Sequence, residues 1–186
     1  GEMEARVFYV KHFLFKTAKR LTIIAKLDNV SALASLYFAA PLFTHAERRW
    51  NRELARALKR DGHLVWLPQD KVEISCQTDV PSASSIFENA LTGIRQADVV
   101  LAIIDGADPD SGTAFECGYA HALGTPILTV RTDFRRGGDD PGANVNLMLS
   151  QSASSFVVSA EPPATDSVEI LGQRILEILA KLTKTL

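Results

Sequence analysis

Residues 98–130 decide the fold, and they read DVVLAIIDGADPDSGTAFECGYAHALGTPILTV. The apolar run at 99–104 has the length and composition of a strand buried on both faces. A turn of small residues follows, then a helical segment that stops at Gly124, and a second apolar run begins at Pro126. Strand, helix and strand in this order predict a parallel, doubly wound α/β sheet.

The rest of the chain continues this alternation from residue 35. We predict helices at residues 45–60, 85–95, 115–123 and 167–182, and strands at 36–40, 63–67, 98–104, 126–130 and 156–158. Thr44 and Glu47 have the spacing of a capping box at the first helix. The polar stretch 69–84 is long enough for a lid or substrate loop, and 131–144 is expected to be an exposed loop. The expected fold is thus a sheet of about five strands flanked by helices.

The first 34 residues differ from the remainder, so we divide the chain into an extension, 1–34, and a catalytic-type domain, 35–186. Basic and apolar residues alternate in the extension, and no acid occurs between Glu4 and Asp28. Such a segment can be a transit peptide or a membrane-surface helix. It is too aromatic and too poor in serine for a typical transit peptide, so we favour an extra helix or hairpin packed on the domain or on a partner subunit.

Composition excludes several classes of function. The 186 residues include 20 basic and 22 acidic side chains, which gives no electrostatic basis for binding nucleic acid. The two cysteines are too few for a disulfide framework and fit a reducing compartment. No apolar run has the length of a membrane span. We therefore expect a cytoplasmic globular protein without nucleic-acid or membrane partners.

Ligands of doubly wound sheets bind at the carboxyl ends of the strands, which directs attention to the residues after Ala40 and after Ile104. The first position offers an apolar pocket wall that includes Pro41 and Phe43. The second offers several carboxylates, and adjacent strands would bring both positions to one crevice. The wall consists of Tyr37, Pro41, Leu42 and Phe43, and the acids are Asp105, Asp108, Asp110 and Glu116.

Glu116 is the candidate nucleophile among these acids. In the first turn of a helix, the dipole would favour its ionised form, and an ionised, fixed carboxylate can attack an anomeric carbon. A purely structural role in the helix start is the alternative. Asp110 suits either an N-cap or a hydrogen bond to substrate hydroxyls. Asp105 and Asp108 are expected to cap or to face solvent.

Other chemistries lack a recognisable motif. The four histidines are scattered, and the spacing of Cys117 and His121 fits packing better than a metal site. There is no GxGxxG or GxxxxGK[ST] loop and no nucleophile elbow. We therefore expect neither a metal nor a cofactor.

The chain resembles the nucleoside 2-deoxyribosyltransferase family over residues 36 to about 152, and three blocks of sequence carry the resemblance. They are YFAAPLF at 37–43 with ERRWN at 47–51, DSGTAFECGYA at 110–120, and NLM at 146–148. The resemblance implies a flavodoxin-like (Rossmann-type) fold and a cofactor-free double displacement. In that reaction deoxyribose passes from a 2′-deoxynucleoside to a free nucleobase through a deoxyribosyl-glutamate.

The resemblance also implies a role for individual residues. Glu116 matches the nucleophile, Tyr37 the tyrosine that orients it, and Asp110 the aspartate that binds the sugar hydroxyls. Asn146, followed by Met148, matches an asparagine that reaches the sugar 5′-OH in a neighbouring subunit's site, which implies at least a dimer.

Two positions depart from the family pattern. Ala90 occupies the position at which many members carry an aspartate that handles the proton of the leaving base, and Ala40 replaces a common glycine. Glu88, Asn89 or a lid residue would then take over the proton, or base exchange would be altered. Hydrolysis of 2′-deoxynucleosides or their 5′-monophosphates, with Arg48 and Arg49 near a phosphate, remains open. A non-catalytic nucleotide-binding module is the third alternative.

Overall fold

Five parallel strands form the centre of the computed structural model, which describes residues 33–75, 81–139, 142–158 and 168–183. The interpretation of the amino-terminal extension therefore falls almost entirely outside the described residues. The strands are β1 (Ser35–Ala39), β2 (Leu64–Trp66), β3 (Val99–Ile103), β4 (Ile127–Arg131) and β5 (Ser155–Val158). They lie in the order β2-β1-β3-β4-β5, and each neighbouring pair is parallel.

Helices cover both faces of the sheet. They are α1 (His45–Arg60), α2 (Pro68–Ser75), α3 (Ala83–Gln96), α4 (Ser111–Ala122), α5 (Leu147–Ser152) and α6 (Val168–Leu182). α1 and α6 contribute to the core on one face, whereas α3, α4 and α5 contribute to the core on the other. This is the predicted doubly wound fold, and its strand order is that of flavodoxin. None of the helices in the described ranges is long and apolar enough to cross a membrane.

Alternation along β1 shows how the two cores share one strand. Leu36 and Phe38 lie in the core beneath α1 and α6, and Tyr37 and Ala39 lie in the core beneath α3 and α4. All four side chains are buried. Successive side chains of a strand point to opposite faces, so Tyr37 is directed to the same side of the sheet as α4.

The switch point of the sheet lies between β1 and β3. The chain leaves β1 for α1 on one face and leaves β3 for α4 on the other, so a crevice opens between the two connections. This crevice lies at the carboxyl ends of the strands, where doubly wound sheets bind ligands.

Some of the helix boundaries agree with the predicted ones, and others do not. Thr44 and Glu47 form the predicted capping box at the start of α1. The stretch predicted as a long loop at 69–84 instead contains α2 and the start of α3, because Pro68 begins a helix and Gln69 is buried against α1. The short helix α5 was not predicted.

The predicted exposed loop at 131–144 is wrong at its first residue, Arg131. It is the last residue of β4, its side chain is 1% exposed, and its guanidinium donates to the carbonyl oxygens of Ile104, Gly106 and Arg135. Asp105 also departs from the expected cap or solvent-facing role. Its carboxylate accepts hydrogen bonds from the backbone of Thr132 and Asp133. These contacts join the loop after β3 to the loop after β4.

Candidate active site

Tyr37 and Glu116 meet at the switch point. The Tyr37 ring is fully buried in β1, and its hydroxyl donates a 2.5 Å hydrogen bond to Oε1 of Glu116 on α4. Glu116 is the sixth residue of α4, so the prediction that it lies in the first helical turn is wrong. The helix begins at Ser111, earlier than predicted, because Asp110 caps it.

Asp110 provides the N-cap that fixes this helix start. Its Oδ2 accepts hydrogen bonds from the backbone N–H of Thr113 at 2.9 Å and from the Thr113 hydroxyl at 3.2 Å. This confirms the N-cap among the two roles considered for Asp110. Since the same residue lines the cavity described below, the cap also holds a carboxylate at the site.

Burial dominates the electrostatics of Glu116. Desolvation raises the pKa of Glu116 from an ordinary value of 4.5 to about 7, the Tyr37 hydrogen bond acts to lower it, and the negative charge of Asp110 acts to raise it. The expectation that the helix dipole would keep the ionised form favoured is therefore wrong, because the residue lies a turn too far along the helix and in a desolvated position. Burial, followed by the charge of Glu116, raises the pKa of Tyr37 far above its ordinary value, so the phenol stays protonated and donates.

A cavity of about 300 Å³ lies over this pair. Its volume fits a small ligand such as a nucleoside. Residues from both predicted ligand positions line it, together with residues from β2, α2 and α3. The lining consists of Tyr37, Ala40, Leu42, Phe43, Trp66, Pro68, Lys71, Pro81, Ile86, Asn89, Ala90, Asp110, Gly112, Thr113 and Glu116.

Most of the predicted site residues meet in this cavity, and three do not. Pro41 does not line it, and its carbonyl oxygen accepts a 2.8 Å hydrogen bond from the Asn51 side chain. Asn146 caps α5 through a 3.0 Å bond from the Leu149 N–H to its Oδ1, and the next residue but one, Met148, is 79% exposed. Neither Asn146 nor Met148 lines the cavity of its own chain.

Ala90 does line the cavity, and its methyl group offers no proton donor. Asn89 lines it as well, whereas Glu88 does not. Arg48 and Arg49, considered for a phosphate site, are also absent from the lining. Within the described residues no group of three or more histidine, cysteine or acidic side chains is placed to hold a metal ion.

Three cavity features escaped the sequence interpretation. Trp66 on β2 and Lys71 on α2 line the cavity. They were missed because the position of β2 at the edge of the sheet, beside β1, was not predicted. Gly93 on α3 packs so closely that an added Cβ would lie 2.7 Å from Tyr37 Cδ2 and 3.0 Å from Trp66 Nε1. A glycine inside a helix was the available signal for such close packing.

A second cavity of about 350 Å³ adjoins the first, and Glu116 lines both. This second cavity is mostly apolar and is lined by Ala83, Ile86, Phe87, Ala90, Leu91, Gly112, Phe115 and Glu116. Phe87 and Phe115 are about half exposed, and their ring centroids are 5.9 Å apart. α3 and α4 thus present an apolar surface next to the candidate nucleophile.

The fold and the site define an α/β protein with a tyrosine-held carboxylate at the switch point of a flavodoxin-like sheet. Residues 36–148 match the family model described as nucleoside 2-deoxyribosyltransferase, and the chain belongs to that family. It is accordingly an enzyme of the nucleoside deoxyribosyltransferase class.

Individual relatives agree with this assignment. A nucleoside deoxyribosyltransferase of Lactobacillus leichmannii is 27% identical over an alignment of 126 residues, and the alignment covers 61% of this chain and 77% of the relative. A 2-deoxyribosyltransferase structure from Leishmania mexicana is 27% identical with a TM-score of 0.57, covering 77% of this chain and 97% of that one. A Bacillus psychrosaccharolyticus 2-deoxyribosyltransferase shares the fold at 23% identity and a TM-score of 0.58, with 78% and 96% covered.

Proposed function

We propose that the protein transfers 2-deoxyribose between nucleobases by double displacement at Glu116. The observation that carries the proposal is the Tyr37–Glu116 hydrogen bond at the floor of a nucleoside-sized cavity. A carboxylate whose free oxygen faces the substrate, and whose other oxygen is held by a phenol, is oriented for attack on one carbon.

The first half-reaction breaks the bond between C1′ and the base nitrogen. An oxygen of Glu116 forms the new bond to C1′, and the electron pair of the broken bond leaves with the base. In the second half-reaction the acceptor base attacks C1′, and Glu116 departs as a carboxylate. Glu116 must be ionised when the first half-reaction starts, and it is ionised again when the second one ends. A pKa of about 7 allows this near neutral pH.

Asp110 takes the role of the group that binds the sugar hydroxyls. Its Oδ2 is engaged by Thr113, and this contact fixes the carboxylate on the cavity side of the helix start. Two hydrogen bonds that hold a side chain lower the entropy cost of binding a hydroxyl. Phe43, which is 77% exposed at the cavity mouth, would be covered by the bound nucleoside.

Asn146 is proposed to complete the site of a neighbouring subunit. It lies outside the cavity of its own chain, at the start of α5, beside the exposed side chains of Leu147 and Met148. The apolar surface of Phe87 and Phe115 gives a second chain a place to pack. A homodimer with two composite sites would place Asn146 of each subunit at the sugar of the other.

Hydrolysis is the second candidate, because Ala90 gives the cavity no carboxylic acid at the position expected for the leaving base. Water would then replace the acceptor base in the second half-reaction. Since Arg48 and Arg49 do not line the cavity, the free 2′-deoxynucleoside is the preferred substrate in this reading as well.

Chromatography of 2′-deoxyinosine or thymidine incubated with and without adenine tests the proposal. We expect 2′-deoxyadenosine to appear with the parent protein and with Glu177→Gln, an exposed control on α6, but not with Glu116→Ala. Mass spectrometry of the quenched reaction should find one deoxyribosyl group on the peptide containing Glu116. Free deoxyribose without a new nucleoside would establish hydrolysis, and cleavage by Glu116→Ala at the parent rate would refute the nucleophile.

Subunit mixing tests the shared site. Glu116→Gln and Asn146→Ala should each be inactive alone, and a mixture of the two should recover about a quarter of the parent activity, since half of randomly mixed dimers carry one intact site of two. Light scattering should show a dimer or larger assembly. A monomer with full activity would overturn the shared site without touching the role of Glu116.

A further inference from the structure

We infer that Lys71 stabilises the departing nucleobase by donating a hydrogen bond from its ammonium to a carbonyl oxygen of the base. This inference rests on the proposed function, and it assigns the part of the reaction that Ala90 leaves without a donor. Among the described residues that line the cavity, Lys71 is the one with a cationic side chain.

The ammonium of Lys71 lies over an aromatic side chain of the cavity lining. Its Nζ lies 4.9 Å from the centroid of the Trp66 ring. Trp66 pairs with Tyr37 in the register of β2 and β1, and the missing side chain of Gly93 lets both rings pack against α3. An ammonium over an indole face gains a cation–π attraction, which holds it beside the cavity wall.

The distribution of charge in the cavity gives Lys71 a chemical task. The two ionisable acids, Glu116 and Asp110, belong to the segment after β3, where the sugar is proposed to bind. A second wall, built from β2, α2 and α3, carries Trp66, Lys71 and Ala90. A base that leaves against this second wall gains negative charge in the transition state, and a positive group fixed there lowers the barrier.

The step balances without a new reactant. The C1′–N bond breaks, and its electron pair moves onto the base nitrogen and is delocalised to the base carbonyl oxygens. The Lys71 N–H···O hydrogen bond strengthens as that charge develops, and Lys71 keeps its proton. Glu116 supplies the oxygen that bonds to C1′. After departure, the base anion takes a proton from water. In the second half-reaction, the acceptor base loses a proton to water as it bonds to C1′.

The chemistry of the leaving group distinguishes this role from general binding. A fluorine at C5 makes uracil a better leaving group, so a transition state with 5-fluorouracil needs less help from a cation. We expect Lys71→Met to lower kcat/KM for 2′-deoxyuridine about 10- to 100-fold and to lower it much less for 5-fluoro-2′-deoxyuridine. Lys71→Arg should recover part of the loss, because the charge is retained.

The assay compares the parent, Lys71→Met, Lys71→Arg and the control Lys181→Met, an exposed lysine on α6, with 2′-deoxyuridine, 5-fluoro-2′-deoxyuridine and 2′-deoxyuridine 5′-monophosphate. A larger loss for the poorer leaving group supports the inference. Equal losses for both nucleosides, or a loss confined to the monophosphate, overturn it, and the second result assigns Lys71 to a phosphate.

Circular dichroism and thermal unfolding of each variant exclude a folding defect as the cause of a loss. If the parent cleaves none of the three substrates, the proposed function itself fails and this inference fails with it. If the parent is active and Lys71→Met matches it on every substrate, the proposed function stands and only the role of Lys71 is refuted.

Discussion

The hydroxyl of Tyr37 and the carboxylate of Glu116 are joined by a 2.5 Å hydrogen bond, although 79 residues separate them in the sequence. The bond connects the interior strand β1 to α4 across the switch point. It opposes the desolvation that raises the pKa of Glu116, so the two residues together set the pH at which the carboxylate ionises.

Removing the Tyr37 hydroxyl should therefore move the acid limb of the pH profile. Without the hydrogen bond that lowers it, the pKa of Glu116 rises further above about 7, and less of the enzyme is ionised at neutral pH. We expect Tyr37→Phe to lower kcat/KM by about tenfold or more at pH 7 and by less at pH 9. The pH dependence of kcat/KM measures this, and an acid limb at the parent position would contradict it.

Ionised Glu116 should destabilise the folded protein. In the folded protein the pKa of Glu116 is about 7, above the ordinary 4.5. Below pH 4.5 the residue is neutral in both states and does not oppose folding. As the pH rises from 4.5 through 7, ionisation favours the unfolded state, and the free energy of unfolding falls. Glu116→Gln keeps an acceptor for Tyr37 and removes the charge. We expect it to raise the free energy of unfolding at pH 8 by on the order of 1–3 kcal/mol, and to have no such effect at pH 4.

Urea unfolding of the parent and of Glu116→Gln at several pH values measures that difference. A constant difference across the range would mean that the substitution acts by packing and not by charge.

Gly93 should be intolerant of a single methyl group. The Cβ of alanine would lie 2.7 Å from a ring carbon of the buried Tyr37, which is closer than two carbon atoms can approach, so the ring or α3 must shift. We expect Gly93→Ala to cost about 1–3 kcal/mol of stability and to reduce turnover by displacing Tyr37. Gly118→Ala is the matched control, since an added Cβ there meets nothing within 4 Å, and alanine should stabilise α4 by up to about 1 kcal/mol.

Thermal unfolding of both glycine variants and kcat of Gly93→Ala give the answer. An unchanged kcat for Gly93→Ala would show that Tyr37 can move without loss of function.

Asp105 should matter for stability although it lies outside the cavity. Its carboxylate accepts hydrogen bonds from the Thr132 N–H, the Thr132 hydroxyl and the Asp133 N–H. Asp105→Ala leaves these donors without their acceptor, and we expect a loss of about 1–3 kcal/mol. Asp108→Ala, an exposed acid in the same loop, should change stability by less than about 0.5 kcal/mol. Equal effects of the two substitutions in urea unfolding would contradict the role of Asp105.

The sheet and the general place of the site were predictable because their signals are local or topological. Apolar runs such as 99–104 predict buried strands, and alternation with helices predicts a doubly wound sheet. The rule that ligands bind at the carboxyl ends then directed attention to both halves of the cavity lining. Thr44 and Glu47 fixed the start of α1 by a pattern of four residues.

The features that were missed depend on tertiary contacts. Glu116 ionises less readily than its place in a helix suggested, because desolvation by the surrounding fold outweighs the dipole. α2 forms in a polar stretch because Gln69 is buried, and its amide donates a 2.8 Å hydrogen bond to the carbonyl oxygen of Arg48. The sequence predicts a surface position for Arg131. Its burial is made favourable by carbonyl oxygens of two separate loops and by the Asp133 carboxylate, 4.0 Å from the guanidinium.

The edge position of β2 has a consequence for how this enzyme can diversify. Trp66 and Lys71 stand at the margin of the sheet, on a three-residue strand and a short helix, whereas Tyr37 and Asp110 are anchored at its middle. Changes at the margin leave the central pairing of β1 and β3 intact. We therefore expect that selection or engineering can alter substrate range at the periphery while the proposed catalytic residues are inherited unchanged.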